Sequence, residues 1–285
     1  RIAGLSFANV TLFQKRASLA THITLQYIPC NEMKSFIPGA RIGNDKMKQV
    51  VLITGGTMGI GLALAEAFLA RGDDVAVCGR STEALESFSR AHPDALAVQA
   101  DVTSGEARDA MLDAVTERFG RLDILVNNAG TFVGRNFAGD ADPTQDLEQE
   151  VALNLTAPIQ LTAAALQRWP SMAAIVFVTS GFALVSPLRA PSYGAVKGGL
   201  HGFAEGLRWQ LASRGTHVLE LLPPAVDTAM NSDYAGKKMP PAEVAKVTLK
   251  ALARRQPMAL PGATRLLPLL LRIAPNFTKR MVAAI

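Results

Sequence analysis

From residue 48 onward, short apolar runs alternate with longer stretches in which apolar residues recur at helical spacing. The short runs lie at 49–54, 74–79, 95–101, 122–130, 173–181 and 216–224. The longer stretches lie at 59–72, 81–91, 104–120, 146–169 and 192–215. Apolar runs bounded by turn residues predict buried strands, and the longer stretches predict helices. Because the two kinds alternate, we expect an α/β fold: a doubly wound parallel sheet between two helix layers, α/β/α, in a single domain.

Two segments lie outside this alternation. Residues 1–46 lack a helical or strand period and contain few acids before Asp45, so we expect a leader outside the folded domain, with a transit peptide as the alternative. The domain itself is expected to span residues 47–261. Residues 262–285 mix apolar and basic side chains and predict a C-terminal helical tail. We expect the tail to be buried against the protein; covering a cleft and touching a membrane surface are the alternatives.

Composition narrows the classes of partner and site. The chain has 285 residues, 49% hydrophobic, with a formal net charge of +5. Its basic residues are scattered, which argues against nucleic acid, whereas a mild positive bias favours an anionic ligand. Cys30 and Cys78 form neither a disulfide framework nor a metal-ligand spacing, so we expect no metal and a reducing, cytoplasmic location. No apolar run reaches the roughly 18 residues that a transmembrane span needs.

A glycine-rich turn, "TGGTMGIG" at 54–61, joins the first predicted strand to the first helix. A β-carbon at Gly55, Gly59 or Gly61 would block the approach of a pyrophosphate or the packing of helix on strand. Backbone N–H groups at the helix N-terminus would then face the phosphates. A purely structural turn is the alternative, but the strand before and the helix after favour dinucleotide binding. We expect the other side chains of the turn to contribute contacts: Thr57, Met58 and Ile60.

The residue after the second strand indicates which dinucleotide is bound. Dinucleotide folds usually place an acid there to hold the ribose 2′-hydroxyl, but this chain has Arg80. A guanidinium suits a 2′-phosphate, so NADP(H) is favoured and NAD(H) remains possible; a solvated arginine is the alternative. Ser81 could donate to the same phosphate. Asp101, after the third strand, could accept from the adenine amino group or only shape a turn.

Tyr193 and Lys197 are four residues apart on a predicted helix, so both project from one face. An ammonium group near a phenol favours the phenolate and lowers its pKa from about 10, which would allow acid–base work near neutral pH. Ser180 ends a strand, and carboxyl ends of strands line the crevice in such sheets. By itself, a Tyr/Lys pair on a helix is usually a surface packing pair.

With these motifs in order, the chain resembles the short-chain dehydrogenase/reductase family from about residue 48 to residue 260. The matching elements are "TGGTMGIG", Asp101-Val102, "NNAG" (127–130), Asn154 in "LNLTAP", Ser180, "YGAVK" (193–197) and "PPAVDT" (223–228). The resemblance implies a Rossmann fold and assigns residues 47–261 to an NAD(P)-binding catalytic domain. Two positions depart from the family pattern. Pro224 replaces a usual glycine, which would stiffen its loop, and Met58 stands where NADP-preferring members often have a basic residue.

The resemblance also implies roles for individual residues. Tyr193 would be the general acid/base, Ser180 would orient the substrate oxygen, and Lys197 would lower the tyrosine pKa and bind the nicotinamide ribose. The backbone of Asn154 would hold a water that relays protons. The implied cofactor contacts at the remaining motifs are Val102, Asn128, Ala129, Gly130, Pro223, Val226 and Thr228.

We therefore expect an NADP(H)-dependent oxidoreductase that transfers hydride between the nicotinamide and a carbonyl or alcohol substrate. One of the loops that would shape the substrate cleft, "GFALVSPLRAP" at 181–191, is mostly apolar, which hints at a hydrophobic substrate. An NAD-linked alcohol dehydrogenase and a nucleotide-sensing protein without turnover are the alternatives. By the same resemblance, a homodimer or homotetramer is expected.

Overall fold

A computed structural model describes residues 48–284 and shows seven strands and nine helices in that range. The strands are β1 (Val50–Thr54), β2 (Asp74–Gly79), β3 (Leu96–Gln99), β4 (Ile124–Asn127), β5 (Ala174–Val178), β6 (His217–Leu221) and β7 (Met258–Ala259). The first six helices are α1 (Gly59–Ala70), α2 (Thr82–Ala91), α3 (Gly105–Phe119), α4 (Leu147–Val151), α5 (Ala157–Arg168) and α6 (Pro191–Leu211). The last three are α7 (Pro241–Ala253), α8 (Leu267–Ile273) and α9 (Pro275–Ala283).

The strands form one parallel sheet in the order β3-β2-β1-β4-β5-β6-β7. The order reverses direction at β1, because β2 and β3 lie on one side of it and β4 to β7 on the other. Ligands bind such sheets outside the carboxyl ends of the strands at this reversal. The predicted doubly wound parallel sheet is confirmed, and its topology places a ligand crevice beyond the ends of β1 and β4.

Two hydrophobic cores cover the two faces of the sheet. Along β1, Val51 and Ile53 belong to one core, and Val50 and Leu52 belong to the other. Successive side chains of a strand point to opposite faces, so a central parallel strand needs apolar residues at every position. All five residues of β1 are buried. The continuous apolar runs in the sequence follow from this burial on both faces.

Local signals in the sequence set several helix ends. The Ser81 hydroxyl accepts from the Ala84 N–H at 3.2 Å and caps α2. Ser104 caps α3 in the same way. Gly120, at φ 72°, ends α3 in the left-handed conformation that glycine adopts at little cost. The two serine caps satisfy N–H groups that the first turn of a helix leaves without partners.

The predicted long helix over 146–169 is present over 147–168, but it is not a regular α-helix throughout. The structure divides it into α4, a π-helical turn over Ala152–Thr156, and α5. The turn contains Asn154, whose side chain forms hydrogen bonds to the backbone of Thr131. A π-turn inserts one extra residue and often marks a functional position.

Further elements follow the last predicted strand. The predictions above include neither α7 nor the short strand β7, which adds the seventh strand beside β6. Residues 267–283 form α8 and α9, in agreement with a helical tail. The predicted leader, residues 1–46, lies outside the described residues. Within 48–284, no helix combines the length and the apolar character needed to cross a bilayer.

Candidate active site

The glycine-rich turn between β1 and α1 adopts backbone angles that favour glycine. Gly55 has φ 63° and Gly59 has φ 56°, both in the left-handed region. A β-carbon on Gly59 would lie 2.9 Å from the Thr228 side chain, so the loop after β6 closes tightly over this turn. Gly61 is placed differently from the other two. It is buried, does not line the cavity, and a β-carbon there would collide with the Gly55 carbonyl oxygen.

Gly61 therefore serves the packing of α1 on the turn, one of the two uses that the sequence predicts for these glycines. Its missing side chain lets the first turn of α1 lie against the turn that precedes it. The sequence spacing cannot separate these two uses of glycine, because both occur within the same motif.

A buried threonine, which sequence reasoning missed, holds this turn to the end of β4. The Thr54 hydroxyl accepts from the N–H groups of Asn128 and Ala129, each at 2.9 Å. The Asn128 side-chain amide donates to the carbonyl oxygens of Thr54 and Gly55 at 2.9 and 3.1 Å. These contacts couple β1 to β4 at the point where the strand order reverses. The position at the end of β1, immediately before the glycines, is the signal that could have identified Thr54.

The residues predicted for the adenosine end lie together on one side of the crevice. Arg80, Ser81, Asp101 and Val102 all line the cavity, and the Arg80 side chain is solvent-exposed. Asp101 accepts from the N–H and hydroxyl of Thr103 at 2.9 and 2.7 Å, and these bonds hold the pKa of its carboxyl below the ordinary value. Asp101 thus shapes the turn that follows β3, the alternative left open by the sequence.

One cavity of about 620 Å³ runs along the carboxyl ends of the strands and unites the predicted site. Its volume lies in the range of ligand pockets. Of the predicted site residues, all except Gly61 line it: Gly55, Thr57, Met58, Gly59, Ile60, Arg80, Ser81, Asp101, Val102, Asn128, Ala129, Gly130, Asn154, Ser180, Tyr193, Lys197, Pro223, Val226 and Thr228.

Asn154 is buried in the π-helical turn and bridges two elements. Its side-chain oxygen accepts from the Thr131 N–H at 3.2 Å, and its amide donates to the Thr131 carbonyl at 3.0 Å. A β-carbon on neighbouring Gly130 would lie 2.6 Å from the Asn154 Oδ1 and 3.5 Å from the Lys197 Nζ. The chain after β4 therefore passes very close to the predicted catalytic group, and glycine is needed there for lack of space.

Ser180, Tyr193 and Lys197 are all buried at the end of β5 and on the first turns of α6. Lys197 donates to the Val178 carbonyl at 3.1 Å, and its Nζ lies 5.7 Å from the centre of the Tyr193 ring. The structure brings these three predicted side chains together on the wall of the cavity.

Two phenylalanines that sequence reasoning missed enclose the Tyr193 ring. Phe132 meets it edge-on at 4.9 Å between centroids, and Phe182 does so at 6.5 Å. Both lie in the loops after β4 and β5, where no motif marks them. They restrict water around the phenol.

The pKa of Tyr193 differs from the sequence prediction. Burial raises the pKa of the phenol to about 12; the Ser180 hydroxyl opposes this shift and the Glu150 carboxylate adds to it. Burial also lowers the pKa of the Lys197 ammonium to about 8, against the opposing effect of Glu150. The phenol pKa therefore lies above its ordinary value and not below it, because desolvation by burial is the largest effect and disfavours the charged forms of both groups. Tyr193 is a protonated acid at neutral pH.

A buried ion pair beside this centre was also missed. The Arg135 guanidinium contacts the Glu150 carboxylate, and the Ser192 hydroxyl donates to the same carboxylate oxygen at 2.9 Å. Arg135 also donates to the Gln145 carbonyl at 2.9 Å. The other oxygen of Glu150 is buried without a hydrogen-bond partner among the described residues. The pair joins the loop after β4, α4 and the residue before Tyr193, and Glu150 supplies the negative charge felt by Tyr193 and Lys197.

A second buried carboxylate, Glu220, forms hydrogen bonds with residues next to the site. Glu220 on β6 accepts from the Thr179 hydroxyl at 2.7 Å and lies 2.8 Å from the His201 Nδ1. This hydrogen bond raises the pKa of His201 above its ordinary value. Since Thr179 precedes Ser180 and His201 lies one turn after Lys197, Glu220 ties the strand and the helix that carry the two groups.

The chain matches the family described as short chain dehydrogenase over residues 49–238. This match covers more than half of the chain and includes the glycine-rich turn, Ser180, Tyr193 and Lys197. The chain belongs to the short-chain dehydrogenase family. It is an oxidoreductase of that class with an NAD(P)-binding Rossmann fold, as the resemblance implies.

Relatives of this short-chain dehydrogenase include proteins with and without a named substrate. It is 38% identical to the uncharacterized oxidoreductase DltE of Bacillus subtilis over 66% of this chain and 75% of DltE. It is 34% identical to the 3-dehydrosphinganine reductase TSC10B of Arabidopsis thaliana over 62% of this chain, spanning about half, 55%, of that protein. It is 33% identical to the 2-(R)-hydroxypropyl-CoM dehydrogenase of Xanthobacter autotrophicus, over 65% of this chain and 77% of the relative.

Solved structures share the fold of this short-chain dehydrogenase. A short-chain dehydrogenase from Streptomyces avermitilis superposes with TM-score 0.71 at 29% identity, over 83% of this chain and 96% of the other. The actinorhodin polyketide ketoreductase with NADPH and the 3-ketoacyl-(acyl-carrier-protein) reductase of Brucella melitensis with NADH both superpose with TM-score 0.67. They are 28% and 26% identical, and each match covers 72% of this chain and 90% of the other.

The residues present fit a dinucleotide. Gly55 and Gly59 of the glycine-rich turn line the cavity at the N-terminus of α1, and the N–H groups there can receive phosphate oxygens. At the other end, the ammonium of Lys197 bonds only Val178 among the described residues, so its other N–H groups are free to hold ribose hydroxyls. The glycine-rich turn and Lys197 line the same cavity, so one cavity could hold both the phosphates and the nicotinamide ribose.

Proposed function

We propose that this short-chain dehydrogenase transfers hydride between NADP(H) and a carbonyl or alcohol substrate, with Tyr193 as the general acid/base. One observation carries the proposal: Ser180, Tyr193 and Lys197 share the wall of a single cavity whose other end is the glycine-rich turn.

In this proposal the bound nicotinamide would supply the hydride. The chain's own residues hold the substrate carbonyl oxygen and donate the proton. The Ser180 hydroxyl donates to the carbonyl oxygen and holds it beside the phenol. Tyr193 gives its proton to that oxygen as negative charge develops. Phe132 and Phe182 limit water near the phenol, which strengthens both hydrogen bonds. Lys197 carries the nearby positive charge, and Asn154 secures the loop that borders it.

The preference for NADP(H) rests on Arg80. Its exposed guanidinium lies at the cavity end where the ribose of the adenosine would sit, and no acid stands at Cys78 or Gly79 to hold a free 2′-hydroxyl. Ser81 uses its oxygen to cap α2 and still has its hydroxyl hydrogen to donate. An NAD-linked enzyme is the alternative outcome of the binding test below.

The walls near Tyr193 favour a substrate with a sizeable apolar part. They are formed by Phe132 and Phe182 and by tail residues including Leu267, Leu270 and Val282. Ser180 and Tyr193 would hold the carbonyl oxygen, and Arg189, Asn231, Tyr234 and Lys237 also line the cavity. The names of the relatives agree with ketone reduction, since they include a 3-dehydrosphinganine reductase and a polyketide ketoreductase.

Replacing Tyr193 by Phe tests the chemistry. The variant keeps the ring and its packing but loses the proton, so we expect turnover of reducible aldehydes or ketones to fall about 10²–10⁴-fold. The dissociation constant for NADPH, measured by fluorescence titration, should change less than threefold. Near-normal turnover in Tyr193→Phe would refute the assignment. Tight NADPH binding with no turnover of any carbonyl in a broad panel would instead favour the nucleotide-sensing alternative.

Replacing Arg80 by Ala tests the cofactor preference. Loss of a phosphate contact should weaken NADPH binding about tenfold or more and leave NADH binding nearly unchanged. Arg90→Ala is a matched control, because Arg90 is an exposed arginine of neighbouring α2 that does not line the cavity. Equal NADPH affinity in both variants would refute the 2′-phosphate contact and leave NAD(H) as the cofactor to test.

A further inference from the structure

The tail helices α8 and α9 carry an exposed apolar surface. Ten large hydrophobic side chains are exposed among the described residues, and half of them fall within the 16 residues from 266 to 281. We call this surface the tail face: Leu266 (53% exposed), Leu269 (55%), Ile273 (70%), Phe277 (69%) and Met281 (43%). Leu269 and Ile273 are i and i+4 on α8, and Phe277 and Met281 are i and i+4 on α9, so each pair shares a helix side.

Positive charge accompanies the tail face. The exposed basic side chains of the two helices and the turn before them are Arg265, Arg272, Lys279 and Arg280. None of the four forms an ion pair within residues 48–284. The sequence contains no Asp or Glu after Glu243. Apolar side chains mixed with cations and without acids are typical of segments that lie on anionic lipid surfaces.

The same charge argues against a second copy of the chain as the occupant. In a two-fold dimer through the tail face, each cation-rich patch would meet its own image. Like charges brought together across such an interface oppose association. An anionic lipid surface complements both the charge and the apolar side chains.

The opposite side of the two helices forms a wall of the cavity. Leu267, Leu270 and Val282 line it, and Met281 both lines the cavity and is partly exposed. The buried Thr278 hydroxyl donates to the Leu270 and Ala274 carbonyls at 3.1 and 2.8 Å, which fastens α9 to the end of α8. Cavity and tail face are therefore separated by the thickness of a single helix layer.

The far end of α9 is also attached to the domain. The Leu188 N–H donates to the Ala283 carbonyl at 2.8 Å, and the Leu188 side chain is 80% exposed beside it. The neighbouring Arg189 lines the cavity and stacks over the Phe132 ring at 4.8 Å. An exposed apolar side chain, Leu188, therefore lies at the end of α9 in the loop that borders the cavity.

We propose that the tail face docks the protein on the surface of an anionic phospholipid membrane. Ile273 and Phe277 enter the boundary between headgroups and acyl chains, while the four cations contact lipid phosphates. Docking brings the cavity wall formed by α8 and α9 to the bilayer, from which an apolar carbonyl substrate enters. Substrate entry rests on the proposed reductase function, whereas docking does not.

Sedimentation of the full chain with phospholipid vesicles tests docking without any assay of turnover. The protein should bind vesicles of phosphatidylcholine with about 30% phosphatidylglycerol at least tenfold more tightly than vesicles of phosphatidylcholine alone. Raising the salt to about 0.5 M should weaken binding, because exposed charges are screened. Equal binding to both vesicles, or to neither, would overturn the proposal.

Two groups of variants separate the tail face from general charge. Ile273→Ser/Phe277→Ser and Arg272→Glu/Lys279→Glu/Arg280→Glu should each weaken vesicle binding at least tenfold. The matched controls are Trp209→Ser/Phe137→Ser, exposed apolar residues elsewhere, and Arg90→Glu/Arg118→Glu/Arg254→Glu, which changes net charge equally. Controls that lose binding to the same extent would refute a specific face.

Stability, cofactor affinity and molar mass of the variants separate failed docking from other defects. All substituted residues are exposed, so melting temperature and NADPH affinity should stay unchanged, which separates failed docking from a failed active site. Light scattering of the tail-face variants should give the same molar mass as the parent chain. A lower mass would assign the face to self-association and overturn membrane docking.

Discussion

At the scale of single residues, burial is the largest influence on the pKa values of the proposed catalytic pair, Tyr193 and Lys197. Tyr193 and Lys197 stand on one face of α6, as their spacing requires, yet each is desolvated enough to disfavour its charged form. The neighbouring Glu150 charge helps to keep the lysine protonated and opposes ionisation of the phenol. The site is therefore arranged to keep an acid ready for donation rather than to hold a phenolate.

The shifted pKa of Lys197 predicts how reduction depends on pH. The ammonium is present below its pKa of about 8 and is lost as the pH rises through that value. We expect kcat/KM for carbonyl reduction to be flat from pH 6 to 7 and to fall through about pH 8. In Lys197→Arg, whatever activity remains should show no such fall, because guanidinium stays protonated. An unchanged profile in Lys197→Arg would show that another group titrates.

At the scale of elements, the buried Arg135–Glu150 pair holds the loop after β4 against α4 and α6. The pair lies where the loop after β4, α4 and α6 meet, and both side chains are buried. Removing one partner of a buried pair leaves an uncompensated charge, whereas replacing both with apolar groups is often tolerated. The pair therefore specifies an arrangement of elements.

We expect Arg135→Met to lower the free energy of unfolding by about 3–5 kcal/mol. The double variant Arg135→Met/Glu150→Leu should be clearly more stable than Arg135→Met alone, since no buried charge is left without a partner. Urea denaturation of the single and double variants measures both values. A double variant less stable than Arg135→Met would contradict the role of the pair.

The elements also show where periodicity stops being informative. The strands and helices through β6 follow the predicted order, because each depends on its own apolar period and end signals. The π-turn at 152–156 is not visible in the apolar period, and the Asn154 side chain within it bonds Thr131, 23 positions away in the chain. The short strand β7 has two residues, too few for any period to be visible.

At the scale of the whole molecule, the proposed cofactor site joins both halves of the sheet. It extends from the ends of β2 and β3, near Arg80 and Asp101, to β5, near Ser180. A ligand that binds only the folded protein stabilises it by mass action. Cofactor binding should therefore act on the domain as one unit.

We expect NADPH at 100 times its dissociation constant to add about 2.7 kcal/mol to the stability of the parent chain. For a domain of this size, that corresponds to a rise of about 5–11 °C in the melting temperature. Differential scanning calorimetry at one fixed NADPH concentration should show a smaller rise for Arg80→Ala and the full rise for Arg90→Ala. The absence of any rise in the parent chain would contradict the cofactor assignment.

The sequence by itself determined the parallel sheet, the glycine-rich turn and the placing of Tyr193 and Lys197 on one helix face. These features depend on local periods and spacings, which neighbouring residues encode directly. Only the tertiary structure decided that burial raises the phenol pKa, that Gly61 supports packing, that Arg135 meets Glu150, and that the tail lines the cavity. Those outcomes depend on desolvation and on contacts between residues far apart in the chain, which no local pattern records.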